Sequence, residues 1–212
     1  MMRRCPLCHA QEPALYHQDR RREYYQCATC ALVFVPSEQH LSAADEKAEY
    51  DQHQNSPQDT GYRRFLGRLF NPLATKLAPG ARGLDFGCGP GPTLSVMFEE
   101  AGFDIDVYDI FYAPHAANLT RQYDFITATE VVEHLAAPGE VLNQRVAQLL
   151  PGGYLGLMTK RVTSQEAFVR WHYINDPTHV SFFSEATFRW WAAEQGLIVE
   201  FTGNDVVIFR KH

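Results

Sequence analysis

The fold is decided by the stretch Leu84-Asp85-Phe86-Gly87-Cys88-Gly89-Pro90-Gly91. Its apolar beginning predicts a buried strand that ends at a glycine-rich turn, and a helix is expected to begin near Thr93. Glycines at positions 87 and 89 can adopt positive φ angles and let a ligand approach the backbone closely. The start of the next helix directs free N–H groups and the positive end of its dipole at that ligand. The stretch therefore predicts a site for a nucleotide-type cofactor.

The spacing of the glycines distinguishes between classes of cofactor. A dinucleotide site carries G-x-G-x-x-G, whereas here Pro92 stands at the third glycine position and Gly91 gives G-x-G-x-G. A second strand is expected over residues 103–109, and Asp109 at its end is placed to bind ribose hydroxyls. A site for NAD and a turn that binds no cofactor are the alternatives.

The glycine-rich loop, the helix that follows it and the acid at position 109 together resemble motif I of the class I S-adenosylmethionine (SAM)-dependent methyltransferases. Asp85, two residues before the first glycine, belongs to the same pattern. The resemblance covers about residues 62–212 and implies an enzyme whose cofactor is SAM. It assigns contacts with the cofactor to Asp85, Gly87, Cys88, Gly89, Gly91, Asp109, Ile110, Thr129 and Glu130.

The segments around this motif follow the order of an α/β fold. Strands are predicted at 123–128, 154–158, 197–201 and 206–209, and helices at 62–77, 141–150 and 187–195. Only 13 residues separate Asp109 from Tyr123, too few for the helix, strand and helix that the family places there. We therefore expect a Rossmann-like, doubly wound, mostly parallel sheet that ends in an antiparallel hairpin and lacks one edge strand. A loop through Phe111 and Tyr112 is expected to close the adenine end of the cofactor site.

Four of the five cysteines form two C-x-x-C pairs, Cys5 with Cys8 and Cys27 with Cys30, with 18 residues between the pairs. This spacing is typical of a zinc ribbon in which four thiolates hold a structural Zn²⁺. A β-hairpin is expected between the pairs, and so small a ribbon needs its metal to fold. Disulfides and redox-active pairs are the alternatives.

Composition and charge limit the function classes. The chain has 212 residues, 45% of them hydrophobic, and a net charge of −6, which does not favour a broad surface for nucleic acid. No apolar run is long enough to span a membrane and no signal peptide is expected, so we predict a cytoplasmic enzyme. Three basic residues, Arg20 to Arg22, are expected in a solvated loop. The predicted domains are a zinc ribbon (1–36), a linker or lid with a helix at 43–50 (37–61) and a methyltransferase domain (62–212).

A second motif, Thr129-Glu130-Val131-Val132-Glu133-His134-Leu135, is expected at the carboxyl end of the strand at 123–128. It resembles the corresponding string of the ubiquinone-pathway O-methyltransferases and their relatives. The resemblance implies that His134 is a base acting on a phenolic hydroxyl, assisted by Glu133, and that the acids help to bind a divalent ion. If the segment is helical, Glu130, Glu133 and His134 share one face. The alternative is that the acids only favour a helix N-terminus.

A third string, residues 171–183, combines two histidines, an aspartate and four aromatic residues after the strand at 154–158. Such a loop is typical of a pocket lining, so His179 is a second candidate base. Trp171, His172 and Asp176 are the candidate substrate-binding residues. The alternative is an aromatic cluster with His179 hydrogen-bonded inside it. Near the lid, Tyr50, His53, Tyr62, Arg63 and Arg64 are further candidates.

The sequence thus favours a SAM-dependent methyltransferase that acts on a hydroxyl or carbon of a small-molecule acceptor. Ribbon-bearing sugar methyltransferases resemble this domain order, which makes a nucleotide-linked sugar one candidate acceptor. An rRNA or tRNA methyltransferase that binds nucleic acid through the ribbon is the alternative. A third hypothesis is a protein that binds SAM as a scaffold and does not turn it over. The sequence leaves the oligomeric state open.

Overall fold

Two β-sheets organise the structure, a computed structural model that describes residues 3–52 and 56–212. The strands are β1 (Ala14–Gln18), β2 (Glu23–Gln26), β3 (Val33–Phe34), β4 (Arg82–Phe86), β5 (Asp104–Tyr108), β6 (Tyr123–Thr129), β7 (Leu149–Met158), β8 (Ser181–Phe182), β9 (Leu197–Thr202) and β10 (Val206–Lys211). The large sheet has the order β5-β4-β6-β7-β10-β9, and the small sheet has the order β1-β2-β3-β8.

Six α-helices accompany the sheets in the described residues. They are α1 (Ala43–Tyr50), α2 (Thr60–Ala74), α3 (Thr93–Glu100), α4 (Pro138–Gln148), α5 (Gln165–Val169) and α6 (Glu185–Gln195). Short 3₁₀ helices occupy Ser37–Gln39, Ala116–Thr120, Val132–His134 and His172–Asn175. Local sequence explains the helix ends: Asp59 caps α2, and Ser184 forms a capping box with Thr187 at the start of α6.

The large sheet confirms the predicted fold class. Strands β5, β4, β6 and β7 pair in parallel, whereas β10 pairs antiparallel with both β7 and β9. Helices α2 and α3 pack on one face, where Leu69, Phe98 and Phe125 are fully buried. Helices α4 and α6 cover the other face. Residues 110–122 hold only one 3₁₀ helix, so β5 is the edge of the sheet and the expected edge strand is missing.

Several boundaries differ from the predicted ones. Strand β7 begins at Leu149, not at residue 154, because the segment Pro151–Gly153 continues the strand with Gly152 at a φ of 80°. Helix α4 begins at Pro138, since proline suits the first helical position. Helix α2 ends at Ala74 with Pro72 in its last turns, where the proline does not split it. In the part of the chain that the structure describes, no helix is long and apolar enough to cross a membrane.

The small sheet joins the cysteine-rich segment to the rest of the chain. Strand β3 pairs antiparallel with β8, with Val33 opposite Phe182, although the sequence predicted only a loop around residues 171–183. The buried side chains at this junction come from both parts of the chain: Tyr24, Val33, Val35, Phe168, Tyr173, Ile174, Val180 and Phe182. The division into three domains stays a prediction, and this shared sheet crosses its first boundary.

The first C-x-x-C pair also packs against the large sheet's helices. The amide of Gly139 donates to the carbonyl of Pro6 over 3.3 Å. A Cβ atom at Gly139 would lie 2.3 Å from the carbonyl oxygen of Leu7, so α4 approaches the ribbon this closely only because the residue is a glycine. The cysteine-rich segment and the part of the chain that carries the large sheet therefore share a continuous packed interior.

Candidate active site

The glycine-rich loop between β4 and α3 is shaped to hold a ligand against its backbone. Gly87 and Gly89 adopt φ angles of 76° and 64°. A Cβ atom at Gly87 would lie 2.4 Å from Cγ2 of Val131, whereas a Cβ atom at Gly89 would meet nothing within 4 Å. The amides of Gly87 and Cys88 both donate to the carbonyl of Tyr108, at 2.7 and 3.2 Å. The loop backbone is therefore held by its hydrogen bonds to Tyr108, and at Gly89 it is open to a ligand.

Asp109 joins this loop to the segment after β5. Its carboxylate accepts hydrogen bonds from the amides of Gly89 (3.0 Å), Phe111 (2.8 Å) and Tyr112 (3.1 Å). Asp109 lines the same cavity as Gly87 and lies where the sequence placed the ribose-binding acid. A single carboxylate thus sets the spacing between the two loops that the cofactor must contact.

Two further acids line the cavity and are strongly desolvated. Asp85 is 2% exposed and accepts a hydrogen bond from Thr127 over 2.9 Å, and burial raises its pKa to about 7. Burial, with repulsion from Glu133, raises the pKa of Glu130 to about 8. Glu130 also has a φ of 53°, an uncommon backbone conformation for a residue other than glycine. Buried acids of this kind become ionised readily when a cationic ligand arrives.

One cavity of about 770 Å³ connects the loop to the predicted catalytic residues. The lid predicted at 37–61 contributes Ala43, Glu46 and Tyr50 of α1 to its wall. Among the other lid candidates, Tyr62 lines the cavity, whereas Arg63 pairs with Glu100 outside it. Arg64 is exposed, and His53 lies outside the described residues.

His134 and His179 come together at the far end of this cavity. Their ring centroids are 4.7 Å apart, and the ring of Tyr50 lies 5.3 Å from that of His134. Nδ1 of His179 is 2.8 Å from the carbonyl oxygen of Tyr173, and Nε2 is 3.7 Å from Oδ2 of Asp176. Because a carbonyl only accepts, Nδ1 carries the proton of the neutral ring and Nε2 keeps its lone pair. Burial lowers the pKa of His179, which keeps the ring neutral at pH 7.

Glu133 lies under the two histidines and does not reach the cavity. The residue is fully buried, and its Oε1 accepts a hydrogen bond from the hydroxyl of Tyr173. Among the described residues its Oε2 has no hydrogen-bond partner, and burial raises its pKa to about 7. The segment forms a 3₁₀ turn only over Val132–His134, so Glu130 does not share a helical face with Glu133 and His134. Ligand atoms of Glu133, His134 and His179 lie within 4.8 Å of one another, close enough for a divalent ion.

The remaining predicted residues divide into two groups. Cys88, Ile110, Thr129 and Asp176 line the cavity with the residues above. Gly91 is buried behind the loop, where its carbonyl accepts from Thr93. Trp171 packs against Phe168 at a separate small cavity, and His172 is exposed beside Lys160. The structure therefore does not bring these three residues to the site.

Arg145 of α4 is a cavity residue that the sequence reasoning missed. It is 3% exposed, its guanidinium carbon lies 4.6 Å from the ring centroid of Phe86, and its Nε has no hydrogen-bond partner in residues 3–52 and 56–212. Burial lowers its pKa. In the sequence Arg145 is one basic residue in an amphipathic helix, and nothing in its pattern marks it as a cavity residue. The one indirect signal was the short segment 110–122, which has no room for a helix that could cover this side of the cavity.

The four cysteines of the two pairs converge on one point. Sγ of Cys5 lies 3.5 Å from Sγ of Cys30, and Sγ of Cys8 lies 3.4 Å from Sγ of Cys27. All four sulfur atoms lie within 4.8 Å of one another. Such separations suit a tetrahedral ion with metal–sulfur bonds of about 2.3 Å. The donor set therefore fits Zn²⁺, and His9, which follows Cys8 in the chain, is exposed and outside the set.

A glycine-rich loop after the first parallel strand, an acid after the second and an antiparallel carboxyl-terminal hairpin define a class I SAM-dependent methyltransferase. Comparison with known proteins agrees: residues 58–200 match the sequence model of the methyltransferase domain family. The chain belongs to this family and is a SAM-dependent methyltransferase. This confirms the predicted class of enzyme and its cofactor.

The chain is similar to curated ubiquinone biosynthesis O-methyltransferases over a limited length. It is 31% identical over 77 residues to that of Klebsiella pneumoniae (strain 342), covering 36% of this chain and 32% of the relative. It is 32% identical over 71 residues to that of Escherichia coli O127:H6, covering 34% of this chain and 30% of the relative. The matched region thus spans about a third of these relatives' own length.

Solved structures show the same fold at low sequence identity. A Galdieria sulphuraria protein described as a sarcosine dimethylglycine methyltransferase has a TM-score of 0.53 and 18% identity, with 77% of this chain and 90% of that chain covered. A chain of the complex between the Haloferax volcanii Trm112 methyltransferase activator and a methyltransferase has a TM-score of 0.55 and 13% identity, with 79% and 98% covered.

Proposed function

We propose that the protein transfers the methyl group of SAM to a hydroxyl or carbon of a small-molecule acceptor. The observation that carries the proposal is the single cavity of about 770 Å³ with the glycine-rich loop at one end and the paired histidines at the other. This volume lies in the range of small-molecule sites and leaves room for an acceptor beside a cofactor. Helix α1 forms part of the wall, which favours an enclosed acceptor over an extended polymer.

The residues on the glycine-rich side fit SAM. The open backbone at Gly89 and the carboxylate of Asp109 offer contacts to its methionine and ribose parts. Asp85 and Glu130 have raised pKa values, and a bound ligand that carries an ammonium and a sulfonium would lower them and draw out the negative charge of both carboxylates. When bound, SAM supplies a methyl group attached to a positively charged sulfur, and the transfer is an in-line displacement. The protein therefore needs mainly to align the acceptor and to remove its proton.

His179 is the proposed base. The Tyr173 carbonyl fixes its Nδ1–H, so Nε2 is the nitrogen that takes up the proton of an acceptor hydroxyl. Asp176, at 3.7 Å from Nε2, stabilises the imidazolium that results. His134 lies against the His179 ring and is proposed to orient the acceptor. Glu133 holds the Tyr173 hydroxyl and thereby supports the position of His179 from below.

The four-cysteine cluster is proposed to hold a structural Zn²⁺. Four thiolates complete a tetrahedral shell and leave no position for a substrate. The cluster also lies in the packed interior that the ribbon shares with α4 and the large sheet. Metal analysis of the purified protein tests this assignment, with one zinc per chain as the expected content.

An RNA methyltransferase is the second candidate function. It would use the ribbon as its binding module, with the basic turn Arg20 to Arg22 in contact with phosphates. The structure weakens this candidate, since Arg22 is 7% exposed and its guanidinium donates to four backbone carbonyls. Retention of RNA that falls steeply with salt concentration would favour this candidate over a small-molecule acceptor.

The test is an acceptor panel with radiolabelled SAM. Phenolic acids such as 3,4-dihydroxybenzoate, nucleotide-linked sugars and total transfer RNA are each incubated with the enzyme, and S-adenosylhomocysteine formation is measured. We expect turnover with one of the two small-molecule classes and none with RNA. Turnover with RNA alone would overturn the proposal.

A further inference from the structure

We infer that Arg22, in the cysteine-rich segment, is a positioning residue that holds the loop carrying Asp176 and His179 in its active arrangement. The side chain comes from the turn between β1 and β2, far along the chain from the loop that it contacts. The inference rests on the proposed role of His179. It gives the ribbon a task in building the acceptor site.

The guanidinium of Arg22 donates four hydrogen bonds to this loop. Its Nη1 donates to the carbonyls of Pro177 and His179, both at 2.9 Å. Its Nη2 donates to the carbonyls of Ile174 at 2.8 Å and Asp176 at 3.0 Å. A planar fork with fixed donor directions can satisfy four carbonyls at once, which an ammonium cannot do in the same geometry. Arg22 therefore fixes backbone carbonyls in the 3₁₀ helix His172–Asn175 and in the irregular segment that follows it.

The turn that presents Arg22 is itself held in place. Oδ1 of Asp19 accepts from the amides of Arg21 (2.7 Å) and Arg22 (2.8 Å), and Oδ2 accepts from the hydroxyl of Tyr24 over 3.1 Å. Arg21 adds an outer contact, because its guanidinium donates to the carbonyl of Asn175 over 3.0 Å. Arg20, the third basic residue of the turn, is exposed. The turn is thus a rigid support, and the expectation of a solvated loop is wrong for Arg22.

Backbone pairing connects the same loop to both parts of the protein. The amide of Val180 donates to the carbonyl of Glu133, and its carbonyl accepts from the amide of Val35 in the ribbon, at 2.8 and 2.9 Å. Val180, the residue after His179, is therefore hydrogen-bonded to both parts of the protein. The residues before it are held through the carbonyls that accept hydrogen bonds from Arg22. A shift of the turn would displace the imidazole, and small displacements of a base reduce turnover strongly.

Arg22 affects His179 through its positive charge as well as through its hydrogen bonds to the loop. Burial lowers the pKa of His179 first, and the positive charges of Arg22 and Lys160 lower it further. Asp176 and the hydrogen bond to the Tyr173 carbonyl act in the opposite direction. The other titratable groups at the ring are His134, Tyr173 and Glu133. Removal of the Arg22 charge should therefore raise the pKa of His179.

The test uses the full chain with zinc and S-adenosylhomocysteine bound and compares Arg22→Gln, Arg22→Lys and Arg20→Ala. Histidine labelled with ¹³C allows the ring of His179 to be titrated by NMR, with His179→Gln to assign its signal. We expect the pKa of His179 to rise in Arg22→Gln. Arg22→Lys should give a smaller rise, and Arg20→Ala should match the wild type. Affinity for S-adenosylhomocysteine should stay within about twofold throughout, because the glycine-rich loop is at the other end of the cavity.

A His179 titration in folded, zinc-containing Arg22→Gln that matches the wild type would overturn the inference. If Arg22→Gln does not fold, the same comparison is made with Arg22→Lys, which keeps the charge and loses the fork. The NMR readout needs no methyl acceptor. A change in the pKa of His179 together with no turnover in the acceptor panel would therefore support Arg22 as a positioning residue and refute the proposed function.

Discussion

The rings of His134 and His179 meet edge to face with their centroids 4.7 Å apart, although they follow different strands of the sheet. In His179, the Tyr173 carbonyl at 2.8 Å fixes the proton on Nδ1, and a carboxylate lies near Nε2. His179 is buried, whereas His134 is half-buried at the cavity wall, so we expect the two histidines to respond differently to substitution.

Replacement of His179 by glutamine should lower kcat for the acceptor found in the panel by about 10²- to 10⁴-fold, the usual contribution of a general base. His134→Gln should act mainly on KM for the acceptor. Isothermal titration should show unchanged affinity for S-adenosylhomocysteine in both variants. Equal activity of both variants and the wild type would remove the two histidines from the mechanism without removing the enzyme from its class.

The wild-type rate should fall on the acid side of neutrality. Because the pKa of His179 is lowered from its usual 6.5, the ring is unprotonated at pH 7 and becomes protonated only as the pH falls through that lowered value. The acid limb of the kcat/KM profile should therefore have its midpoint below 6.5 and vanish in His179→Gln. A midpoint above 6.5 would show that another group titrates.

Substitution of Glu133 by glutamine should change how stability depends on pH. The folded protein holds the Glu133 pKa at about 7, above the usual 4.5, so it binds the proton more tightly than the unfolded chain. The contribution of Glu133 to the free energy of unfolding is fully present below pH 4.5 and is lost as the pH rises through about 7. Thermal unfolding at pH 5 and pH 8 should therefore show a smaller loss of Tm in Glu133→Gln than in the wild type. Parallel losses would contradict the assignment.

A methyl group at Gly87 should abolish binding of the cofactor product. The residue has a φ of 76°, and its Cβ would lie 2.4 Å from Val131. Gly80 is a matched control, since its φ is 72° and a Cβ there would meet nothing within 4 Å. Both alanine variants carry similar backbone strain of about 1 kcal/mol. Gly87→Ala should lose affinity for S-adenosylhomocysteine, and Gly80→Ala should keep it.

Replacement of Arg145 by methionine should weaken S-adenosylhomocysteine binding by roughly tenfold or more, as expected for the loss of a hydrogen bond from a charged group. The guanidinium is buried at the cavity wall beside the loop that replaces the missing strand. Tm should stay constant or rise, because a buried charge that pairs with no carboxylate among residues 3–52 and 56–212 is exchanged for an apolar side chain. Unchanged affinity with a raised Tm would make Arg145 irrelevant to the cofactor.

Loss of one cysteine of the proposed zinc site should affect the loop that carries His179. Cys5→Ser should lower zinc content below one per chain. It should also increase hydrogen exchange at the amide of Val35, which donates to the carbonyl of Val180, and at the amide of Val180, which donates to the carbonyl of Glu133. Cys88→Ser, at the one cysteine outside the cluster, should leave zinc and exchange unchanged. Zinc loss without faster exchange at Val180 would mean that the loop does not depend on the ribbon's metal.

Periodicity and short motifs were sufficient to predict the large sheet, its hairpin and the missing edge strand. These features depend on local apolar pattern and on the number of residues available between Asp109 and Tyr123. Strand β8 could not be predicted, because two residues carry no periodic pattern and their partner β3 is distant in the chain. Burial of Arg22 was missed for the same reason, since its partners are backbone carbonyls, which every sequence contains.

The shortened segment after β5 also governs how the molecule meets its neighbours. An unpaired edge strand offers N–H and C=O groups to any other exposed strand and invites aggregation. Here Asn118 donates to the carbonyl of Val107 over 3.0 Å, and Asp106 gathers hydrogen bonds from Arg82, Arg121 and Tyr123 at 2.9–3.0 Å. The polar cluster on this edge discourages strand addition, so that the chain can lack a strand of its sheet and still resist polymerising through the gap.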